Sequence, residues 1–274
     1  MVLTPESPRK HKLFLYFILA YAVSWAIEIP LALKAQGLVR TEIPFAIHYL
    51  AAFGPFLAGV IVTGMEGGIQ GLKELLGRVL KWRVGPVWWL VAISPVLLFL
   101  LLAVAIRLLQ GSWLDFGILG RIDFLPDLGI GAIFLWLITY GFGEEIGWRG
   151  YLLPRLQRDR SAWSATLILW LFWAIWHVPS FFYLHTVSSA GSLIGFLLGV
   201  LAGAIVLTWL YNSSRGSVLM VALWHGLFDY TTACVECKSG LIAATLSTLV
   251  MVWAVVVVVV FKPTNLSRER KHVL

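Results

Sequence analysis

The chain has 274 residues, of which 59% are hydrophobic and only 13% charged, with a mean hydropathy of +0.86. A soluble domain carries about a quarter charged residues, so the composition excludes that class and predicts an all-α polytopic membrane protein. The net charge of +7 does not suggest nucleic acid, because the basic residues sit between apolar runs, where they read as topology signals.

Residues 1–12 form a polar start with Arg9, Lys10 and Lys12. No cleavable signal peptide is evident, since the first apolar run is long enough to stay as a span. Spans are predicted at 13–33 and 44–65, each near the roughly 20 apolar residues a crossing needs. In 69–83, Ile69, Leu72, Leu76 and Val79 fall at helical spacing while Lys73, Arg78, Lys81 and Arg83 are basic, which predicts an amphipathic helix lying in the interface. A third span is expected at 86–108, then a loop with Asp115, Asp123 and Asp127. Further spans are expected at 128–154, 161–183, 192–211, 217–232 and 241–261, giving eight, and the basic tail after Lys262 reads as disordered. Lys and Arg concentrate on the side of the two termini, so both termini are expected in the cytoplasm. The whole of 1–274 reads as a single membrane domain. It divides into N-terminal spans (1–128), a core (129–232), and a last span with its tail (233–274).

Charged groups inside spans are expensive and mark function. The stretch Gly143-Glu144-Glu145-Ile146-Gly147-Trp148-Arg149-Gly150 places two carboxylates and a guanidinium there. Glu145 and Arg149 are four apart and share a helix face, so they can neutralise each other and support the site structurally. Glu144 is rotated by about 100° and has no such local partner, which nominates it as the general acid or base. Spans four and five should form an antiparallel hairpin turning near Arg158–Arg160, which brings His177 to the height of Glu144. His225 and Asp229, four apart on the seventh span, can point at one site, or Asp229 can orient the imidazole. On residue chemistry alone this shared polar site fits a hydrolase, a metal transporter or a proton-coupled carrier.

Three motifs carry a resemblance: Glu144-Glu145-x-x-x-Arg149; Trp173-Ala-Ile-Trp-His177 followed by Val178 and Pro179; and His225-Gly-Leu-Phe-Asp229. In this order and spacing they resemble the CPBP family, which contains the type II CAAX prenyl endopeptidases and the bacteriocin-processing or self-immunity (Abi) proteins. The resemblance covers residues 130–232. It implies an intramembrane endopeptidase in which Glu144 and His177 hold and activate a water, and His225 stabilises the oxyanion with Asp229 beside it. Two positions depart from the pattern. Trp173 stands where the family has Phe. Asp229 stands where the prenyl-protein branch has Asn, and an ionised Asp cannot donate a hydrogen bond. The expectation is that Asp229 faces the far nitrogen of His225 and keeps that ring cationic. This departure points to the broader bacterial-type membership of the family.

No cofactor is expected. The alternative is a zinc site of Glu144, His177 and His225, with or without Asp229, keeping an open position for water. A non-proteolytic binding or immunity protein is a further alternative. The expected partners are the lipid bilayer and a membrane-anchored protein or hydrophobic peptide, with prenylated CAAX-type proteins among the candidates. Cys234-x-x-Cys237 reads as two ordinary thiols, and Glu28, His48 and His185 as residues near the outer side. Gly195, Gly199 and Gly203 form a small-residue stripe expected to pack inside the bundle.

Overall fold

The computed structural model describes residues 7–114, 116–119, 128, 131–184, 189–232 and 240–274. Every regular element among them is helical. The first helix, α1, is Ser7–Ala35, followed by a connection holding a 3-10 turn at Phe45–Ile47 and a helical turn at His48–Ala51, and then by α2, Phe53–Val79. A bent pair comes next: α3, Pro86–Ala92, and α4, Ser94–Gln110. The Glu-Glu stretch lies on a helical run through 132–159 that begins as α5, Ala132–Trp136, and ends as α6, Leu153–Asp159. Then come α7, Ala162–Trp176; α8, Ala190–Ser213; α9, Val218–Thr232; and α10, Leu241–Val260.

These helical runs fall on the eight stretches expected to cross. Among the described residues, however, five are long and apolar enough to do so, or six if the α3–α4 pair, bent by 60°, counts as one span. The two that fall short are the site-bearing helices. The 132–159 run is broken into short α and π turns, and α9 is only 15 residues long. The molecule is a polytopic membrane protein with five to six such spans on this criterion, and the count of eight is not established by it.

Local chemistry explains the boundaries. Helix α2 breaks at Gly68, whose φ of 55° lies in the left-handed region that costs glycine little. The run 69–79 is thereby a separate helix. Ser161 caps α7 by accepting the Ser164 N–H at 3.1 Å. Helix α7 stops at Trp176, and Pro179 lies in the following 3-10 turn, Val178–Phe182, since proline cannot continue an α-helix. His177 therefore sits at a helix end.

Without a hydrophobic drive between lipid-embedded helices, packing depends on close backbone approach. A Cβ added at Gly147 would lie 2.3 Å from the Pro55 carbonyl oxygen, and one at Gly141 would lie 2.6 Å from that of Ala222. Those contacts press the 132–159 run against α2 on one side and α9 on the other. The stripe on α8 does less. A Cβ added at Gly203 would lie 3.9 Å from the Trp173 ring and one at Gly199 3.9 Å from Met251, both ordinary contacts, and one at Gly195 would meet no described atom within 4 Å.

The tail departs from expectation. Instead of being disordered, 262–274 folds back on the bundle. The carbonyls of Thr264 and Pro263 accept the first N–H groups of α7, from Ala162 and Trp163, at 2.9 and 3.0 Å. These are donors that a helix start leaves unpaired. Asn212 and Gln157 exchange side-chain hydrogen bonds of 2.7 and 3.0 Å, and Gln157 also donates to the His272 carbonyl at 2.8 Å.

Candidate active site

The backbone of the Glu-Glu stretch is not a regular α-helix. Leu137–Glu144 and Ile146–Leu152 are π-helical, a form rare except near functional sites. Glu144, Glu145 and Arg149 are 2%, 0% and 0% exposed, so their charges must be met by protein groups.

Glu145 meets two of them. Its Oε1 accepts from Arg149 Nη1 at 2.6 Å, the four-residue pair expected from spacing, and also from His225 Nδ1 at 2.8 Å. On the other face of that ring, His225 Nε2 lies 3.5 Å from Asp229 Oδ2. His225 is thus held between two carboxylates, one from the Glu-Glu stretch and one from its own helix. The link between Glu145 and His225 has no signal in local spacing, because it depends on how α9 docks.

Glu144, free of local partners in the sequence reading, receives one from α7. Its Oε2 accepts the indole N–H of Trp173 at 2.8 Å. The same tryptophan carries the Arg149 guanidinium 4.6 Å above its ring. It meets the His225 ring edge-on at 5.4 Å. Its backbone carbonyl is 2.7 Å from His177 Nδ1. A carbonyl can only accept, so the His177 Nδ1 carries a proton and donates it to the Trp173 carbonyl. Glu144 and His177, expected to face each other across the hairpin, are therefore joined through Trp173. Trp173 is the site residue that spacing did not single out; the signal available was an indole N–H where Phe would offer none.

Among the described residues no group of three or more His, Cys, Asp or Glu side chains is placed to hold a metal.

Glu28 and His48 are both buried. The Tyr183 hydroxyl donates to Glu28 Oε1 at 3.2 Å. His48 Nδ1 lies 2.7 Å from the Tyr183 oxygen, and His48 Nε2 lies 3.0 Å from the Tyr140 oxygen. Tyr140 precedes Glu144 by four residues, so this second polar cluster approaches the first along the 132–159 run. His185, Cys234 and Cys237, with Asp115, Asp123 and Asp127, lie outside the described residues.

Comparison with known proteins gives two matches. Residues 126–231 match the family model described as type II CAAX prenyl endopeptidase Rce1-like. CAAX prenyl protease 2 of Methanococcus maripaludis is 26% identical over 234 residues, spanning 81% of this chain and 84% of that relative.

Proposed function

We propose, from the CPBP-family protease assignment that both matches support, that this chain is an intramembrane endopeptidase acting through a glutamate-activated water. The observation that carries the reading is the buried, unpaired-in-sequence carboxylate of Glu144, held at 2.8 Å by Trp173 beside a histidine clamped between Glu145 and Asp229. Peptide hydrolysis needs a base and a donor for developing negative charge in a water-poor site. Glu144 supplies the base and His225 the donor.

The reaction runs as follows in these groups. A water donates one hydrogen bond to Glu144 and one to the Nε2 lone pair of His177, which leaves its oxygen free to attack the scissile carbonyl. Glu144 takes the water's proton as the C–O bond forms. The carbonyl oxygen becomes an oxyanion facing His225 Nε2, which is kept protonated by the carboxylates of Glu145 and Asp229. Glu144 then returns the proton to the amide nitrogen as the C–N bond breaks, and the base is restored. Asp229 stands 3.5 Å from Nε2, beyond a good hydrogen bond, so it does not take up that N–H, which is left to donate to the oxyanion.

The substrate is a membrane-anchored protein or hydrophobic peptide, with a prenylated CAAX-type protein as the narrower form of the proposal. The core is 129–232, the helix in 69–83 lies in the interface, and both termini face the cytoplasm.

The test is cleavage of a quenched, membrane-anchored peptide panel, lipidated and not, by purified protein in liposomes. Glu144→Gln should lose activity by about 10²- to 10⁴-fold, the usual value of a positioned acid–base group, with a strong chelator making no difference. Activity abolished by chelator and restored by zinc would overturn the glutamate-water reading. No cleavage of any peptide by wild type would overturn proteolysis in favour of a binding or immunity role.

A further inference from the structure

Residue 173 meets four of the site's side chains. Its indole N–H holds Glu144 Oε2 at 2.8 Å, its ring face carries Arg149 at 4.6 Å, its ring packs against the edge of His225, and its carbonyl orients His177 at 2.7 Å. Trp173 is itself buried. An indole has a single donor and no acceptor, so its contact with Glu144 is directional and fixes which carboxylate oxygen is taken. Oε2 is occupied by the indole, and Oε1 is left to receive a proton from water. The guanidinium above the ring face, through a cation–π contact, and the imidazole packed perpendicular to the ring hold the indole in place.

We propose that Trp173 is the positioning residue for the Glu144 carboxylate, its indole N–H fixing Oε2 so that Oε1 faces the water. This deepens the endopeptidase reading and rests on it for the catalytic consequence, whereas the contact itself stands on geometry. A phenylalanine at 173 would keep the ring for Arg149 and His225 but could not hold Glu144. The carboxylate would then rotate, and turnover would fall with little change in substrate capture.

The experiment compares Trp173→Phe with Trp170→Phe. Trp170 lies on the same helix and also donates one indole hydrogen bond, at 3.0 Å to the Leu197 carbonyl, so it controls for the loss of an indole. Trp173→Phe should lower kcat by about 10- to 100-fold, the value of a hydrogen bond to a charged group, while KM stays within about twofold. Trp170→Phe should leave both unchanged. Equal kcat in the two variants would overturn the proposal.

A second arm does not need turnover. With indole ¹⁵N labelling, the Trp173 resonance is identified by its absence in Trp173→Phe. It should move upfield in Glu144→Leu, which removes the acceptor. An unmoved resonance would overturn the contact. If wild type cleaves nothing, the protease reading fails, and the resonance still decides whether Trp173 holds Glu144.

Discussion

Two buried polar clusters lie within this bundle and differ in what they are built from. Around Glu145, a guanidinium, a carboxylate and an imidazole share one oxygen, with contacts of 2.6 and 2.8 Å. Around His48, two phenols, an imidazole and the Glu28 carboxyl form a chain of contacts at 2.7 to 3.2 Å. The first draws its members from the 132–159 run, α7 and α9; the second from α1, the turn before α2, the 132–159 run and the segment after α7. Both are buried, so burial does not separate them. What separates them is that the first contains a formal ion pair with two further groups poised on it. Removing one member there breaks an ion pair, whereas removing a phenol from the second takes away single hydrogen bonds.

The largest test of that contrast is Arg149→Met. It keeps a long apolar stem beside Trp173 but leaves Glu145 with His225 alone. Losing one partner of a buried pair should destabilise the fold by about 3–5 kcal/mol, read as a lowered midpoint in mixed-micelle unfolding, and cleavage should vanish with it. A midpoint close to wild type would mean that Glu145 is already satisfied by His225 and that the guanidinium serves the indole instead.

The complementary test is Tyr183→Phe. It removes the hydroxyl shared by Glu28 and His48, so the expected loss is about 1 kcal/mol, the value of a typical hydrogen bond. Cleavage should be retained, since no bond shown for Tyr183 reaches Glu144, His177 or His225. A loss of turnover as large as that of Trp173→Phe would make the second cluster part of the reaction and erase the distinction.

The same contrast explains what the sequence could show. Glu145 and Arg149 were legible because i,i+4 spacing survives in a helix of almost any winding, and Ser161 was legible as a helix start because capping is local. The boundary near residue 69 was legible from periodicity, and Gly68 supplies its cause. His225 meeting Glu145, and Trp173 meeting Glu144, were not. Each joins residues far apart in sequence, and the first depends on the docking of α9, whose Ala222 carbonyl closely approaches Gly141. The partners of Glu28 and His48 were not legible either, because Tyr183 and Tyr140 come from distant segments. The tail misled for a related reason. Its composition is that of a solvated basic segment, but its backbone carbonyls, which composition cannot weigh, cap α7.

That tail carries the smallest expected effect and the one that depends on pH. His272 sits against Tyr211, with ring centroids 5.6 Å apart, and its backbone N–H donates to Asn212 Oδ1 at 3.2 Å. Its Nε2 is buried without a hydrogen-bond partner. Burial first, then the nearby Arg78 and Lys81 charges, push its pKa down from the ordinary 6.5 to about 4. Because the docked state resists protonation, the docked tail is fully favoured above about pH 6.5. It loses that advantage as pH falls toward 4, where a released tail would bind the proton more readily. Amide hydrogen exchange in 262–274 should therefore quicken between pH 6.5 and 4, after correction for intrinsic rates, while exchange in the 132–159 run stays flat over the same range. His272→Gln should remove most of that dependence. Equal acceleration in both regions would mean that acid loosens the bundle as a whole, and the tail would then be reporting the fold and not its own histidine.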